Sequence, residues 1–395
     1  MTSADSLAGR AGQSLPSQKD LVIIGGGIMG LWAALKADRL GIPTLLLEAD
    51  WIASGASGGL LGALMAHVPD RWNDKKQFQF DALVSLEAEI EQLELETGRS
   101  CGYRRSGRLI PLPKPHLREI ALRHREGANE NWRADGRDFA WNVLDASESF
   151  GLDPAFTEAG VVHETLAGRV SPRMLMSVLA ERLRTAKHVT VIEGAPVARV
   201  APEQKGVVMK DGAEISFGHC VVAAGPASFP TLDRVGAPLP RSLGRPVKGQ
   251  AALLKAVMDP AQPVIFLNGL YVVPHDDGMV AVGSTSEEEF EAPFGTDEKL
   301  DDLIERARQL VPTLCQAEVV ERWAGLRPKA IGREPMVGPH TDHPELIALT
   351  GGFKVSFGIA HRLADAALSA MAGRPMDVPA SFTFVSHLAL AKQPS

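Results

Sequence analysis

Leu21-Val22-Ile23-Ile24-Gly25-Gly26-Gly27-Ile28-Met29-Gly30 is the stretch that decides the fold. Its apolar residues are typical of a buried strand, and they lead directly into G-x-G-x-x-G at the start of a helix. Gly25 permits the tight turn, Gly27 lets the backbone approach a pyrophosphate, and Gly30 lets the helix pack closely on the strand. The free N–H groups of such a helix N-terminus attract the anion. The stretch therefore predicts a nucleotide-binding β-α-β unit.

Glu48 ends the next predicted strand, 18 residues after Gly30. A carboxylate at this point suits a ribose 2′-hydroxyl and would repel a 2′-phosphate. A glycine-rich turn without a ligand is the competing interpretation, but strand, glycines, helix and acid all fall in register. The motif is compatible with both NAD and FAD, so it does not by itself decide between the two dinucleotides.

The composition is that of a globular chain without a surface for nucleic acid. Of the 395 residues, 45% are hydrophobic, and the length exceeds what one core usually supports. The net charge is −7 and no block rich in Lys and Arg occurs, which argues against a nucleic-acid partner. Any anionic substrate must then be met by a few local cations.

The cysteines and the N-terminal segment bear on the compartment. Three cysteines in a long chain do not form a disulfide framework, so we expect a reducing environment and a cytoplasmic protein. Residues 1–19 are rich in small and polar residues and are expected to form a disordered extension. The apolar stretch 21–35 is too short to cross a bilayer, so no integral membrane segment is expected. No grouping of His, Cys and Asp has the spacing of metal ligands.

Strand and helix patterns predict an α/β protein made of two interleaved domains. Residues 220–225 form a buried strand that ends at glycine, as in a parallel sheet whose carboxyl edge faces a cofactor, and the same pattern returns at 346–350. Residues 236–325 instead alternate as in an α+β section with a mainly antiparallel sheet. We expect helices at 81–97, 171–185 and 297–310 and one starting near residue 359. The expected Rossmann-like nucleotide-binding domain is discontinuous and comprises residues 20–85, 155–235 and 325–395, and the expected substrate-binding domain comprises residues 86–154 and 236–324.

Five later segments, read in order, narrow the choice of cofactor. They are the small-residue stretch Ala53–Ala63, then Arg245–Gln250, Tyr271–Pro274 with Val282–Thr285, Trp323–Pro328 and Gly351–Lys354. From about residue 20 to about residue 385, this set resembles the D-amino-acid oxidase superfamily of flavoenzymes, and most closely its glycine oxidase branch. The combination is far more specific than any one segment.

The resemblance implies FAD bound without a covalent link. It implies that the backbone of Val197 lies near the adenine and Gly225 near the flavin. The fingerprint and the resemblance together give these candidate FAD contacts: Gly25, Gly27, Ile28, Met29, Gly30, Glu48, Ala49, Ala53, Ser54, Gly58, Gly59, Leu60, Val197, Gly225, Gly352, Phe353, Lys354, Gly358 and Ile359.

Arg327 and Tyr271 are candidate substrate-binding residues. Arg327, in a Gly-Leu-Arg-Pro sequence expected to be a turn, offers a planar, permanently charged donor fork for an α-carboxylate. The resemblance implies that this position holds the substrate carboxylate and that the hydroxyl of Tyr271 also reaches it. The competing interpretations are an arginine paired with a surface acid and an ordinary strand aromatic.

Lys354 departs from the glycine oxidase pattern, in which a second arginine occurs near this position. The sequence Gly352-Phe353-Lys354-Val355-Ser356-Phe357-Gly358 is more similar to sarcosine oxidases, in which this lysine helps to bind the carboxylate near the flavin. The substrate is therefore open between glycine, an N-substituted glycine and a larger amino acid. A solvated lysine is the competing interpretation. The helix near Ile359 directs its positive end toward this segment, and His361 in its first turn or His67 could face the flavin ring.

The sequence favours an FAD-dependent oxidoreductase that converts a small amine or amino acid to an imine by hydride transfer to flavin. Oxygen, a quinone or another electron carrier would fit as the acceptor, and an oligomer is possible. Three alternatives stay open at this point. They are a tRNA wobble-uridine side-chain oxidase of the same superfamily, a flavin-binding subunit of a hetero-oligomeric amine oxidase or dehydrogenase, and a pyridine-nucleotide dehydrogenase.

Overall fold

The computed structural model describes residues 16–134, 136–148 and 150–394. Of the predicted extension at residues 1–19, residues 1–15 lie outside the described part of the chain. The first strand begins at Gln18, so the first sheet starts slightly before residue 20.

The described residues form strands and helices that are numbered in chain order. The strands are β1 (Gln18–Ile24), β2 (Thr44–Leu47), β3 (Ala63–Leu64), β4 (Arg108–Pro111), β5 (Arg133–Ala134), β6 (Arg137–Asp138), β7 (Trp141–Leu144), β8 (Val161–Glu164), β9 (Gly168–Arg169), β10 (Val189–Ile192), β11 (Val197–Ala201), β12 (Gly206–Met209), β13 (Glu214–Val222), β14 (Gly244–Lys255), β15 (Val264–Leu267), β16 (Leu270–Pro274), β17 (Met279–Gly283), β18 (Glu318–Ala330), β19 (Met336–Pro339) and β20 (Leu346–Thr350). The helices are α1 (Ile28–Arg39), α2 (Asp74–Thr97), α3 (Pro115–Asn131), α4 (Pro172–Arg184), α5 (Ser228–Asp233), α6 (Glu298–Leu310), α7 (Ser356–Met371) and α8 (Phe384–Ala391).

Five parallel strands form the centre of the first sheet, in the order β10-β2-β1-β13-β20. β19 pairs antiparallel with β20, and β11 and β12 form an antiparallel hairpin on the first half of β13. Because β1 and β2 are parallel neighbours, the glycine turn after β1 lies beside Glu48, which follows β2. Ligands of such sheets bind at this carboxyl edge.

The first sheet is buried on both faces, which explains why its strands are continuously apolar. Alternate residues of a strand point to opposite faces. Ile23 and Leu46 pack in one core with α1, α2, α4 and α7, whereas Val22 and Leu45 pack in a second core with α5 and α8. The result is a three-layer α/β arrangement.

The second sheet has eight strands in the order β18-β14-β17-β16-β15-β4-β8-β7. All neighbours are antiparallel except β15 and β4. Val272 and Val282 pack against Leu303 of α6 on one face, and Val273 packs with Leu60 on the other. The predicted fold class, a Rossmann-like unit with a mainly antiparallel α+β section, is confirmed.

Several predicted boundaries are displaced. The helix expected to start at residue 81 begins at Asp74, because the Asn73 side chain accepts a hydrogen bond from Lys76 N at 3.1 Å and caps the helix. The predicted domain boundary at residues 85/86 therefore falls inside α2. β8 pairs with β4 in the second sheet, although its residues were assigned to the nucleotide-binding domain. The division into two domains stays a prediction.

Two properties of the described residues bear on the class of protein. None of their helices combines the length and the apolar content that crossing a membrane requires. Within the same residues, no group of three or more His, Cys, Asp and Glu side chains is arranged to hold a metal ion.

Candidate functional site

A cavity of about 600 Å³ lies where the carboxyl edge of the first sheet meets one face of the second sheet. Its size is that of pockets that bind small molecules and cofactors. The candidate contacts that line it are Gly25, Gly27, Ile28, Met29, Glu48, Ala49, Ala53, Ser54, Gly59, Leu60, Val197, Gly225, Tyr271, Arg327, Gly352, Phe353, Lys354 and Gly358. Residues from distant parts of the chain thus converge on one cavity.

Three candidate FAD contacts lie outside the cavity lining. A Cβ at Gly30 would lie 1.9 Å from the carbonyl oxygen of Gly25, and one at Gly58 would lie 2.4 Å from that of Ala53. These two glycines therefore permit close packing of the backbone that forms the cavity wall. Ile359 is 2% exposed and packs in the core with α1 and α2.

The glycine turn forms the cradle at one end of the cavity. Gly25 has φ +111°, and a Cβ there would lie 2.4 Å from the carbonyl oxygen of Ala223, so only glycine fits without a shift. At the N-terminus of α1, Ile28 N donates to Ser57 Oγ at 3.0 Å. Apart from the Ser57 hydroxyl, the glycine turn leaves the N-terminus of α1 open to a ligand, and such a turn fits a pyrophosphate.

Glu48 lies at the same end of the cavity and is 8% exposed. Its Oε2 accepts from Gly26 N at 2.6 Å, and its Oε1 accepts from Asp50 N at 3.0 Å. These backbone donors hold the carboxylate at the cavity wall, where it can accept from ribose hydroxyls. The residues at this end therefore fit the adenosine diphosphate part of FAD.

Arg327 lies in strand β18 and not in a turn, so that prediction is wrong. It pairs with Val247 of β14. Its Nη1 donates to Ser284 Oγ at 3.1 Å, and its Nη2 donates to the carbonyl oxygens of Thr285 at 2.5 Å and Lys248 at 3.3 Å. Its Nε is buried without a partner among the described residues. The second Nη1–H is thus the donor left for a ligand, because the Nη2 hydrogens are both engaged and the Nε atom is buried away from the cavity.

Phe353 stands between the cations of the site. The Arg327 Cζ atom lies 5.3 Å from the centroid of the Phe353 ring, Lys354 Nζ lies 5.6 Å from it, and Lys329 Nζ lies 5.9 Å from it. Lys329 also pairs with Glu288. Lys354, by contrast, has no carboxylate or hydrogen-bond partner among residues 16–134, 136–148 and 150–394.

The charges of Arg327 and Lys354 favour an anionic ligand at their end of the cavity. Burial lowers the pKa of Arg327 to about 10. Solvent reaches the Lys354 side chain, yet the surrounding protein and the charges of Arg327 and Lys329 lower its pKa to about 8. The acids among the described lining residues, Glu48 and Asp50, are both at the nucleotide end. A carboxylate between Arg327 and Lys354 would therefore pair with two cations that form no salt bridge with any described residue.

Tyr271 lines the cavity from β16 and packs in the same hydrophobic cluster as Val273, two residues later on the same face of the sheet. Burial raises the pKa of Tyr271 above its usual range, so its hydroxyl stays protonated and can donate a hydrogen bond. The three candidate substrate-binding residues, Tyr271, Arg327 and Lys354, therefore all line one cavity.

The two candidate histidines lie elsewhere. His361 is in the second turn of α7, because this helix starts at Ser356, and its Nε2 is 3.0 Å from Ser85 Oγ in the core. Burial lowers the pKa of His361 to about 3. His67 lines a smaller cavity of about 200 Å³ that shares the 351–355 segment with the main one. Neither histidine lines the main cavity.

Several lining residues were not named as site residues from the sequence. Ser284 holds Arg327, Trp323 lies against Gly59, and Phe294 reaches the cavity although it is 68% exposed. Ser284 and Trp323 occur in the motifs that carried the resemblance, so that signal was available. Phe294 lies in an irregular acidic loop, and no pattern marks it.

Comparison with known proteins agrees with this geometry. The model of the DAO family, FAD dependent oxidoreductase, matches residues 20–366. Glycine oxidase from Geobacillus kaustophilus is 26% identical over 349 residues, which cover 85% of this chain and 88% of that protein. Glycine oxidase from Pseudomonas putida is 32% identical over 206 residues, which cover 51% of this chain and 55% of that protein.

Solved structures support the same fold. The crystal structure of glycine oxidase from Geobacillus kaustophilus gives a TM-score of 0.81 at 22% identity and covers 93% of this chain and 99% of that chain. Iminodiacetate oxidase from Chelativorans sp. BNC1 gives a TM-score of 0.81 at 20% identity and covers 92% of this chain and 98% of that chain. The family match over most of the chain, together with a cavity that fits FAD, shows that this chain belongs to the DAO family and is an FAD-dependent amino-acid oxidoreductase.

Proposed function

We propose that the protein oxidises a small amino acid or an N-substituted glycine, of the glycine or sarcosine type, to an imine. The observation that carries this proposal is the pair of cations, Arg327 and Lys354, that line the FAD-fitting cavity without a carboxylate partner. The names of the similar proteins, glycine oxidase above all, point to the same class of substrate.

In this proposal the protein fixes the substrate by its carboxylate. The Nη2 hydrogens of Arg327 are engaged and its Nε is buried, so this arginine alone does not bind both carboxylate oxygens in the usual bidentate way. Lys354 and the Tyr271 hydroxyl supply the further donors. Three donors around one anion orient the substrate more strongly than a single pair would.

FAD, when bound, supplies the two-electron oxidation by accepting a hydride from the substrate Cα, which leaves an imine that water hydrolyses. The amine must be neutral to donate that hydride, so its proton must first leave. The described lining residues near Arg327 include no carboxylate and no histidine to accept it. The charges of Arg327 and Lys354 instead lower the pKa of the bound amine, and the proton goes to solvent.

Oxygen, a quinone or another carrier is proposed as the electron acceptor. The word oxidase in the names of the similar proteins favours oxygen. Measuring hydrogen peroxide during turnover distinguishes oxygen from the other acceptors.

The proposal is tested by anaerobic reduction of the purified yellow protein with a panel of amines. Glycine, sarcosine, D-alanine and proline are compared with methylamine and ethylamine, which lack a carboxylate. We expect bleaching of the flavin by at least one carboxylate-bearing amine and a much weaker effect of its decarboxylated analogue. A flavin-replete protein that no carboxylate-bearing amine reduces would contradict the proposal.

The role of Arg327 can be tested against Arg322, a matched control on the same strand. Arg327→Ala is expected to raise KM for a carboxylate substrate about 10- to 150-fold, since it removes a charge-assisted pair worth about 1.5 to 3 kcal/mol. FAD content should stay at the parent level. Arg322→Ala, which removes an exposed arginine of β18 that pairs with Asp301, should leave KM unchanged. Equal KM values for both variants would remove Arg327 from the site.

A further inference from the structure

A group of polar side chains, three of them buried, adjoins Arg327 but does not line the cavity. Gln250, Lys248 and Glu287 in this group are 0%, 2% and 8% exposed. We call the group the Gln250 cluster. Its members are Lys248, Gln250, Thr285, Glu287, Asp297 and Lys299.

Gln250 holds both ends of the segment that runs from Glu287 to Asp297. Its Nε2 donates to Glu287 Oε1 at 2.9 Å and to Asp297 Oδ1 at 2.7 Å. Its Oε1 accepts from Asp297 N at 2.9 Å. A single buried amide therefore uses both its donors and its acceptor to fix this segment.

The same cluster fixes the two carbonyl groups that hold Arg327. Thr285 Oγ1 accepts from Gln250 N at 2.9 Å and donates to Glu287 Oε1 at 2.5 Å. Lys248 and Glu287 exchange two backbone hydrogen bonds, each of 2.9 Å. The carbonyl oxygens of Thr285 and Lys248 are the acceptors of Arg327 Nη2. The guanidinium is thus linked to the side chain of Glu287 through Thr285 and to the backbone of Glu287 through Lys248.

The charges of the cluster are balanced within it. Lys299 Nζ donates to Glu287 Oε2 at 2.8 Å, and Lys248 Nζ lies 3.6 Å from Asp297 Oδ2. Burying Lys248, Gln250 and Glu287 costs free energy unless their polar groups are paired. The backbone ladder of β14 with β17 and β18 does not need them, because it pairs without these side chains. The need to place Arg327 accurately accounts for a hydrogen-bond network that costs free energy at this point.

We propose that the Gln250 cluster positions Arg327 for carboxylate recognition and that Glu287 is the positioning residue through which it acts. This inference rests on the proposed function, in which Arg327 holds the substrate carboxylate. It assigns Glu287 no contact with substrate or FAD. Its loss should therefore affect anion binding and not FAD content.

The test is a double-mutant cycle read by acetate binding to the holoenzyme. Acetate carries the carboxylate without an oxidisable amine, and its binding is followed by the shift of the flavin absorbance. Glu287→Ala is expected to weaken acetate binding and to raise KM for the amino-acid substrate by about 10-fold or more, with kcat little changed. Glu287→Gln should retain part of the affinity, because its amide oxygen can still accept from Thr285 and Gln250. Glu289→Ala, which changes an exposed glutamate two residues along the chain, is the control.

The decisive measurement is acetate binding to the double variant that combines Glu287→Ala with Arg327→Ala. If Glu287 acts through Arg327, the double variant should bind acetate no more weakly than Arg327→Ala alone. Effects that multiply in the double variant, or a Glu287→Ala holoenzyme with parental acetate affinity, would overturn the inference.

Folding and the proposed function are controlled separately. If Glu287→Ala does not yield holoenzyme, Thr285→Val replaces it in the double-mutant cycle. This substitution removes only the hydrogen bonds of the hydroxyl group to Gln250 and Glu287, and the same results are expected. A parent protein that no amino acid reduces contradicts the proposed function. A parent that is reduced normally, but whose Thr285 and Glu287 variants bind acetate like the parent, contradicts only the present inference.

Discussion

Lys354 is expected to make carboxylate binding depend on pH in a range where few other groups of the site titrate. Burial and the charges of Arg327 and Lys329 lower its pKa to about 8. The side chain is charged below that value and neutral above it, so affinity for an anion should fall as the pH rises through it. Replacing Lys354 with arginine keeps the charge throughout this range and should remove the fall.

The size of the effect follows from the pKa. With a pKa of about 8 in the free protein, the charged fraction of Lys354 falls about 10-fold between about pH 6.5 and about pH 9. The loss cannot exceed what one charged hydrogen bond contributes, which is about 10- to 150-fold in affinity. Arg327 and Tyr271 stay mostly protonated over this range, because the pKa of Arg327 is about 10 and that of Tyr271 is raised above its usual range. His67, with a pKa of about 4, is neutral throughout.

Acetate binding to the holoenzyme, followed by flavin absorbance over this pH range, measures the effect without the titration of a substrate amine. The acetate affinity of the parent should fall as the pH rises. Lys354→Arg should bind acetate tightly, and Lys354→Met should bind it weakly, with no dependence on pH in either variant. With an oxidisable substrate, Lys354→Met should also reduce its flavin more slowly. A parent whose acetate affinity is independent of pH, or a Lys354→Arg variant that falls as steeply as the parent, would refute the placement of Lys354 at the anion.

Two further predictions concern the nucleotide end. Glu48→Arg should lower FAD occupancy of the purified protein, because it reverses the charge that faces the ribose hydroxyls, whereas Glu119→Arg on the surface of α3 should leave occupancy unchanged. Gly25→Ala should lower both FAD retention and the melting temperature more than Gly212→Ala does, since both glycines have positive φ but only Gly25 would push a methyl group against the Ala223 carbonyl. Equal effects of the two alanine variants would assign the Gly25 requirement to φ alone.

The nucleotide end could be predicted from sequence because its geometry is local. The glycine turn and Glu48 follow two adjacent parallel strands, so chain order and the strand pattern already place them side by side. The requirement for glycine at residue 25 arises from a turn and a close backbone approach that the motif itself encodes.

Arg327 illustrates where the sequence was misleading. Gly325 and Pro328 flank it, and in isolation these residues favour a turn. In the fold, β18 lies at the edge of the second sheet and pairs on one side with β14, so a proline can be accommodated without losing a central ladder hydrogen bond. Tertiary context therefore overrides the local preference, and it aligns Arg327 with the carbonyls that hold it.

The proposed anion site depends on a contact between the two sheets. Lys329, two residues after Arg327, forms an isolated antiparallel bridge with Gly352, which follows the last strand of the first sheet. This bridge brings the end of β18 against the ring of Phe353. The backbone of Phe353 has φ +44°. No periodicity of apolar residues in either segment predicts this contact. Because it also leaves Lys354 beside a second cation, a lysine at this position becomes a charge that alkaline pH can remove, which an arginine at the same position would not allow.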